Sequence, residues 1–372
     1  MRDLLLGHSP KDFDVATDAK PNQIKNLFKN ARIIGRRFKL VHILYQREII
    51  EVATFRTSHE EKSSNNLTNE KGMLVRDNVF GTLEEDAWRR DFTINSLYYN
   101  IEDSSIIDFT GGVKDIERKT IRIIGVPETR YKEDPVRMLR AIRFSAKLDF
   151  EIAKETSDAI YASNYLIQHV SNSRLFDEMI KLYQVGVGQK IQILLEKYGI
   201  FKYLFPQTAN LLNNEKQSSR KFILLALEST DNRVKNDKPV TPAFIYAVIL
   251  WFPFLNKVSQ LKNSGLDPLN AIEQSMSLII SEQSKIISIP KRHTQIIREV
   301  WMLQYRFPKR SGKRAEHLLQ HPRFRAAYDF LALRALAGDE CMDLANWWTD
   351  YQDADSNTKN KMVFNYSKSL LG

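Results

Sequence analysis

The spacing of apolar and polar positions changes character once along the chain. Over residues 1 to about 120, apolar residues come in short β-branched or aromatic runs separated by polar breaks, which predicts an α/β arrangement. Phe13 and Val15 alternate with Asp12 and Asp14, the period of a strand, so the two apolar side chains are expected in a core. Lys20-Pro21 opens a helix carrying Ile24, Leu27 and Phe28, because proline is tolerated in a first turn. Ala31 to Ile34, Lys39 to Tyr45 and Glu48 to Phe55 read as a strand cluster with a hairpin around Gln46-Arg47. Thr57 to Gly72 is polar and reads as a surface loop, and Asp108 to Thr120, with Gly111-Gly112, is rich in turns.

From Glu133 onward the period is helical. Asp134 is placed to cap a helix with Pro135 at its first position, and Val136, Leu139, Ile142 and Ala146 form its apolar stripe. Further helices are expected around 173–186, 188–198, 219–228, 241–252, 269–282, 294–305 and 313–336. The longest apolar stretch, Phe244 to Leu255, is interrupted by Pro253 and falls short of the roughly 20 apolar residues a membrane span needs. It reads as a buried core helix. The expected class is therefore α+β: a small N-terminal α/β domain, then a long all-helical remainder.

Composition and the lack of a visible targeting segment sharpen this picture. A hydrophobic content of 43% supplies sizeable cores. A single cysteine, Cys341, excludes an internal disulfide framework and a cysteine-based zinc site. With no targeting segment visible, the expected location is the cytoplasm. The charge of +10 is concentrated: residues 291–325 carry ten Lys and Arg against Glu299 and Glu316, a local excess of +8 that suits a polyanion.

The acids supply the chemistry. Residues two apart in a strand face the same way, so Asp12 and Asp14 present paired carboxylates, whose mutual repulsion a divalent cation resolves. Mg²⁺ favours a few carboxylates plus phosphate oxygens. Glu51, set among apolar neighbours, is costly unless it binds a metal or a partner such as Arg56. Asp91, after Arg89 and Arg90 and before Thr93 and Asn95, is the other candidate third carboxylate, or else the cap of an ordinary helix.

Taken together, Arg2-Asp3-Leu4-Leu5-Leu6-Gly7, Lys11 to Val15, Gly35 to Lys39, Glu51 to Arg56, Arg89 to Asn95 and Glu133 to Arg140 resemble, in order, the motifs of the class II nucleotidyltransferases. That group holds CCA-adding tRNA nucleotidyltransferases and bacterial poly(A) polymerases. Ser173 to Glu178 and Tyr203 to Pro206 are similar to its neck and body. Asn95 to Tyr99, Gly35 to His42, and Gly312-Lys313-Arg314 with His321 to Leu331 resemble the poly(A) polymerase branch.

The resemblance implies a head over 1–125, a neck and RNA-binding domain over 126–210, a body over 211–290 and a basic RNA-binding region over 291–372. It implies ATP as substrate, Mg²⁺ as cofactor and RNA 3′ ends as partner, with no membrane span. Asp12 and Asp14 would bind metal, completed by Glu51 or Asp91. Arg89, Arg90 and Asp91 would lie near the ribose and triphosphate, Arg2, Asp3 and Asn95 would also bind the nucleotide, and Glu133, Asp134, Arg137 and Arg140 would face the base. Glu133 and Arg137, four apart, could equally pair on one helix face. Lys309, Arg310, Lys313, Arg314, Arg323 and Arg325 would hold RNA phosphates, with Tyr305, Phe307 and Tyr328 as stacking surfaces or as core.

The group's first motif also includes a strand ending in Gly-Gly ahead of Arg-Asp, whereas this sequence starts at Met1-Arg2-Asp3. The expectation is an exposed sheet edge and fewer backbone donors for a triphosphate. CCA addition and catalytically silent RNA binding are the competing expectations.

Overall fold

A computed structural model describes residues 1–10, 13–35, 39–57, 79–214 and 217–369. Two compact units divide the chain, residues 1–169 and 170–372.

The first unit begins with α1 (Arg2–Leu5), β1 (Asp14–Thr17), α2 (Pro21–Leu27), β2 (Ala31–Ile34), β3 (Leu40–Tyr45) and β4 (Glu48–Thr54). The four strands form a sheet in the order β1-β4-β3-β2, with β1 parallel to β4 and the other pairs antiparallel. The expected hairpin is present: Tyr45 pairs with Glu48, and Gln46 takes the left-handed conformation (φ 54°) that lets a two-residue turn follow the strand twist. One face is a core of Ile24, Ala31, Val41, Ile43 and Val52. Phe13 and Val15 do not join it, being 69% and 45% exposed. Val15 lies in β1 at the sheet edge, with a neighbouring strand on one side only among the described residues, and Phe13 precedes that strand. Leu27 also departs from expectation; it ends its helix 76% exposed, while Ile24, one turn earlier, meets the sheet.

The remainder of the unit comprises α3 (Leu83–Arg89), a 3-10 turn at Thr93–Asn95, β5 (Leu97–Tyr99), β6 (Ile106–Asp108), α4 (Gly112–Glu117), β7 (Thr120–Ile121), α5 (Pro127–Glu133), α6 (Val136–Leu148), β8 (Glu151–Ile152) and α7 (Lys154–Ser163). A reciprocal capping box starts α3: Glu85 N–H donates to Thr82 Oγ1 (3.2 Å) and Thr82 N–H to Glu85 Oε2 (2.6 Å). Asp108 accepts four consecutive backbone N–H groups, Thr110 to Val113, and so draws the turn tight. Gly112 is required there, because a Cβ would sit 2.2 Å from the Thr93 carbonyl oxygen. This approach seats the Thr93–Asn95 turn.

The second unit is all helical. It runs through α8 (Asn172–Tyr183), α9 (Gly188–Lys197), α10 (Phe201–Leu204), α11 (Pro206–Asn214), α12 (Gln217–Lys235), α13 (Pro242–Ile249) and α14 (Trp251–Asn263). It continues with α15 (Pro268–Ser284), α16 (Lys291–Arg306), α17 (Arg314–Leu319), α18 (Phe324–Ala337), α19 (Met342–Asp353) and α20 (Ser356–Ser369). The apolar stretch around Pro253 forms two core helices, α13 and α14, bent by 49° at their junction. Proline tolerates a first turn, so the second helix starts where the first must stop. No single helix among the described residues is long and apolar enough to cross a membrane. Aromatic rings fill the core: Phe254 stacks on Trp301 (4.5 Å), and Phe330 stands edge-on to Trp251 and Phe222, both at 5.1 Å. Phe307 is fully buried against Trp348 at 5.1 Å, which makes it core rather than a stacking surface.

Candidate nucleotidyl-transfer site

Strand register places one row of polar residues across the sheet face opposite the core. Asp14 pairs with Glu51, Glu51 with His42, and His42 with Arg32, so one rung crosses all four strands. His42 Nε2 lies 3.1 Å from Glu51 Oε1, so this histidine, rather than Arg56, is the partner of Glu51. Arg56 instead donates from Nη2 to the Lys39 carbonyl at 2.9 Å. Asp14 is exposed and accepts no hydrogen bond among the described residues. Asp12 lies outside the described residues, and among those described no group of three acids, histidines or cysteines closes on a metal position. Two carboxylates side by side on an open face, oxygen donors only, nevertheless fit a hard divalent cation.

A second cluster gathers motifs far apart in sequence. Asp91 Oδ2 accepts from Arg140 Nε at 2.6 Å, while Oδ1 accepts from Phe92 N–H (2.8 Å) and Asn95 Nδ2 (3.1 Å). Burial pushes the Asp91 carboxyl up, but Arg140 and these donors outweigh it and hold the group below its ordinary value. No helix starts at Asp91, which follows the end of α3 and leads into the 3-10 turn. Asn95 Oδ1 in turn accepts from Arg2 Nη1 at 2.6 Å, and Arg2 also grips Asp3 at 2.7 Å. The guanidiniums of Arg2, Arg140 and Arg143 all lie over the Phe144 ring, 4.9, 5.2 and 5.2 Å from its centroid. Residues 2–3, 91–95 and 140–144 therefore form one connected site in which positive charge predominates.

Glu133 accepts from both Arg130 Nη1 (2.8 Å) and Arg137 Nη1 (2.6 Å). The Glu133–Arg137 pair forms as the four-residue spacing suggests, but across a break, since Glu133 ends α5 and Arg137 lies in α6. Asp134 closes that break by accepting from Val136 N–H at 3.2 Å. Arg130 was not foreseen. Its Nη2 donates to the carbonyls of Arg89 and Arg90, both at 2.6 Å, clamping the end of α3 against α5. Burial and the nearby Arg137 charge bring the Arg130 guanidinium down to about 10, against the pull of Glu133.

Asp86 is the other residue that inspection of motifs missed. Its buried carboxylate takes Arg89, Arg90, the Arg56 amide and the Tyr98 hydroxyl together. The usable signal was a third acid after Glu84 and Glu85 in the first turn of a capped helix, where the fold turns one acid inward.

In the second unit the six cations named above differ in availability. Lys309, Lys313 and Arg314 are exposed. Arg323 is paired with Glu299 (3.2 Å) and Arg325 with Asp329 (3.1 Å). The Arg310 guanidinium stacks between Tyr366 (4.1 Å) and Trp347 (4.8 Å).

Comparison with known proteins gives these sites a family. Residues 1–122 match the family model described as poly A polymerase head domain. Residues 149–212 match the probable RNA and SrmB-binding site of polymerase A, and residues 264–369 the polymerase A arginine-rich C-terminus. Poly(A) polymerase I of Salmonella typhimurium is 46% identical over 359 residues, covering 95% of this chain and 77% of that protein. The Haemophilus influenzae poly(A) polymerase I is 44% identical, covering 98% and 82%. The CCA-adding enzyme of Bacillus subtilis is 38% identical over 53% of this chain and 48% of that protein. Among solved structures, a tRNA-processing enzyme complex superposes with a TM-score of 0.64 at 18% identity, covering 99% of this chain and 93% of that one. An apo CCA-adding enzyme superposes with a TM-score of 0.61 at 21% identity, covering 100% and 77%. At such identities the superpositions establish the fold, an α+β head followed by helices, while the near-full-length sequence matches establish the lineage. This chain belongs to the poly(A) polymerase I family.

Proposed function

We propose that the chain is a template-independent polynucleotide adenylyltransferase that transfers AMP from ATP to RNA 3′ ends, in RNA processing and turnover in the cytoplasm. The observation that carries the reading is the extent of the match. Identity to poly(A) polymerase I runs over 95% of the chain, whereas identity to a CCA-adding enzyme covers 53%. On this reading residues 126–210 act as neck and RNA-binding domain, 211–290 as body and 291–372 as a basic RNA-holding region.

Asp14 and Glu51, with Asp12 two residues before Asp14 in sequence, would hold the divalent ions, Mg²⁺ by their oxygen-only donor set. When bound, such ions supply positive charge to the transferring phosphoryl group. Glu51 suits the third-carboxylate role better than Asp91. It shares a rung with Asp14 and has one oxygen uncommitted, whereas both oxygens of Asp91 are engaged and Arg140 neutralises it. Asp91 then acts by fixing Asn95 and Arg140, presenting an acceptor and donors to the ribose. Arg2, Asp3, Arg89 and Arg90 border the triphosphate. Glu133, Asp134, Arg137 and Arg140 present a fixed array of acceptors and donors to the base edge.

Primer extension with one NTP at a time tests the activity. ATP alone should extend a generic RNA primer by many residues. Incorporation of CTP at the rate of ATP would defeat the adenylate reading, and extension confined to tRNA ends lacking CCA would favour CCA addition. RNA binding without pyrophosphate release would mark a silent RNA-binding protein.

The exposed cations make a separate prediction. Replacing Lys313 and Arg314 together with alanine should lessen the slope of log K against log[salt] for single-stranded RNA by about 1.4, since each phosphate contact contributes about 0.7. Arg325→Ala should change it less, because Asp329 already neutralises that side chain. An unchanged slope in the double variant removes those two residues from the RNA path.

A further inference from the structure

The geometry points to Tyr98 as a positioning residue for the Arg90 guanidinium, acting through the buried carboxylate of Asp86. The inference rests on the reading of Arg90 as a nucleotide-binding group, and concerns how that group is held. Asp86 is 3% exposed and sits in the first turn of α3. Its Oδ1 accepts from the Arg56 backbone N–H (3.1 Å) and from Arg89 Nε (3.0 Å). Its Oδ2 accepts from Arg90 Nε (3.1 Å), Arg90 Nη2 (3.0 Å) and the Tyr98 hydroxyl (2.6 Å). The Arg90 guanidinium also lies over the Tyr98 ring, 4.8 Å from its centroid.

Tyr98 therefore touches Arg90 twice, under its face and through the shared oxygen at its edge. The ring is itself placed from the far end of β4, edge-on to Phe55 at 6.5 Å and 85°. With one edge on Asp86 and one face on Tyr98, the guanidinium keeps its Nη1 edge, which reaches the Asn95 carbonyl at 3.4 Å. That contact aims Arg90 at the cluster of Asn95, Asp91 and Arg140. A short hydrogen bond to an ionised, buried oxygen is of the strong kind. Burial and the Asp86 charge raise the Tyr98 pKa against the opposing pull of Arg90, so the hydroxyl stays protonated and donates at neutral pH. Without that hydroxyl, Oδ2 loses a fixed donor and the long arginine side chain regains rotamer freedom.

The test is a double-mutant cycle on Y98F and R90A, reading the Kd of a fluorescent ATP analogue together with KM and kcat for ATP on an RNA primer. Y98F keeps the ring and removes only the hydroxyl. It should weaken ATP binding and raise KM about tenfold, the scale of one hydrogen bond to a charged group, with kcat within about twofold. In the R90A background the same change should add less than about twofold. If R90A weakens ATP and Y98F does not, the positioning role fails while the nucleotide role of Arg90 stands. If R90A leaves ATP affinity untouched, the nucleotide role fails and the inference with it. Equal losses from Y98F in both backgrounds would make Tyr98 a fold residue only. Should Y98F melt early, R90K takes its place: it keeps the charge but cannot meet Asp86 on two nitrogens, and wild-type ATP affinity in R90K overturns the inference.

Discussion

Asp14→Asn is expected to lower kcat for adenylate addition by at least about three orders of magnitude while leaving the fold unchanged. The size follows from the charge stabilisation that divalent ions give a transferring phosphoryl group, several kcal/mol, at about 1.4 kcal/mol per factor of ten. The selectivity follows from the structure. Asp14 is exposed on its strand and accepts no hydrogen bond among the described residues, so the protein loses no internal interaction with its charge. Surface substitutions of that kind usually move stability by no more than about 0.5 kcal/mol. The measurement is single-turnover extension of an RNA primer beside a thermal melt. A variant that keeps more than a tenth of the parental rate, with its melting temperature intact, would take Asp14 out of the metal site.

Trp301→Ala is expected to destabilise the helical unit by about 3–5 kcal/mol, the range for removing a large aromatic side chain from a packed core. Trp301 is fully buried in α16, stacked on Phe254 at 4.5 Å with ring planes 10° apart. Its indole N–H donates to the Ala247 carbonyl at 3.0 Å. That carbonyl lies near the C-terminus of α13, where a helix runs out of internal donors. The substitution opens a cavity, breaks the stack and leaves a buried acceptor unsatisfied, and these effects add. Trp301→Phe should cost less, because it retains most of the stack and loses the hydrogen bond. At roughly 2–4 °C per kcal/mol for a unit of about 200 residues, the alanine variant should melt roughly 10 °C lower. A shift under 2 °C would mean that the aromatic cluster does not carry the stability of this unit.

The order of α/β segments and helices could be read from the sequence because periodicity is local. The Gln46-Arg47 hairpin needs only two strand-like runs and a two-residue gap, and the amphipathic stripe from Val136 to Ala146 needs only its spacing. The helices over α19 and α20, rich in Asp, Asn and Ser, escaped notice because their apolar stripes are thin and nothing is buried along α20. Family membership was legible too, because its motifs are short runs whose order survives without knowledge of any contact.

The choice between Glu51 and Asp91 was different. Spacing within one segment cannot say which acid stands beside Asp14. That depends on the parallel register of β1 on β4, a pairing between residues 37 apart in sequence. Burial of Phe13 and Val15 followed from alternation only if the strand began before Phe13 and was flanked on both sides, but β1 begins at Asp14 and is at the sheet edge. The spacing of Asp86 to Arg89 and Arg90 is local, but no local pattern could show that the same carboxylate also takes the Tyr98 hydroxyl and the Arg56 amide, or that Arg130 clamps the carbonyls before Asp91. The sequence by itself determined the order of the α/β and helical parts, the family and the chemistry available. Tertiary structure decided which carboxylates remain open to a ligand and which are spent on the protein's own arginines. A charge is committed or free according to its neighbours in space; some lie three or four residues away at the end of the same helix, as Arg89 and Arg90 do from Asp86, but others, such as Arg140 beside Asp91, lie tens of residues away along the chain.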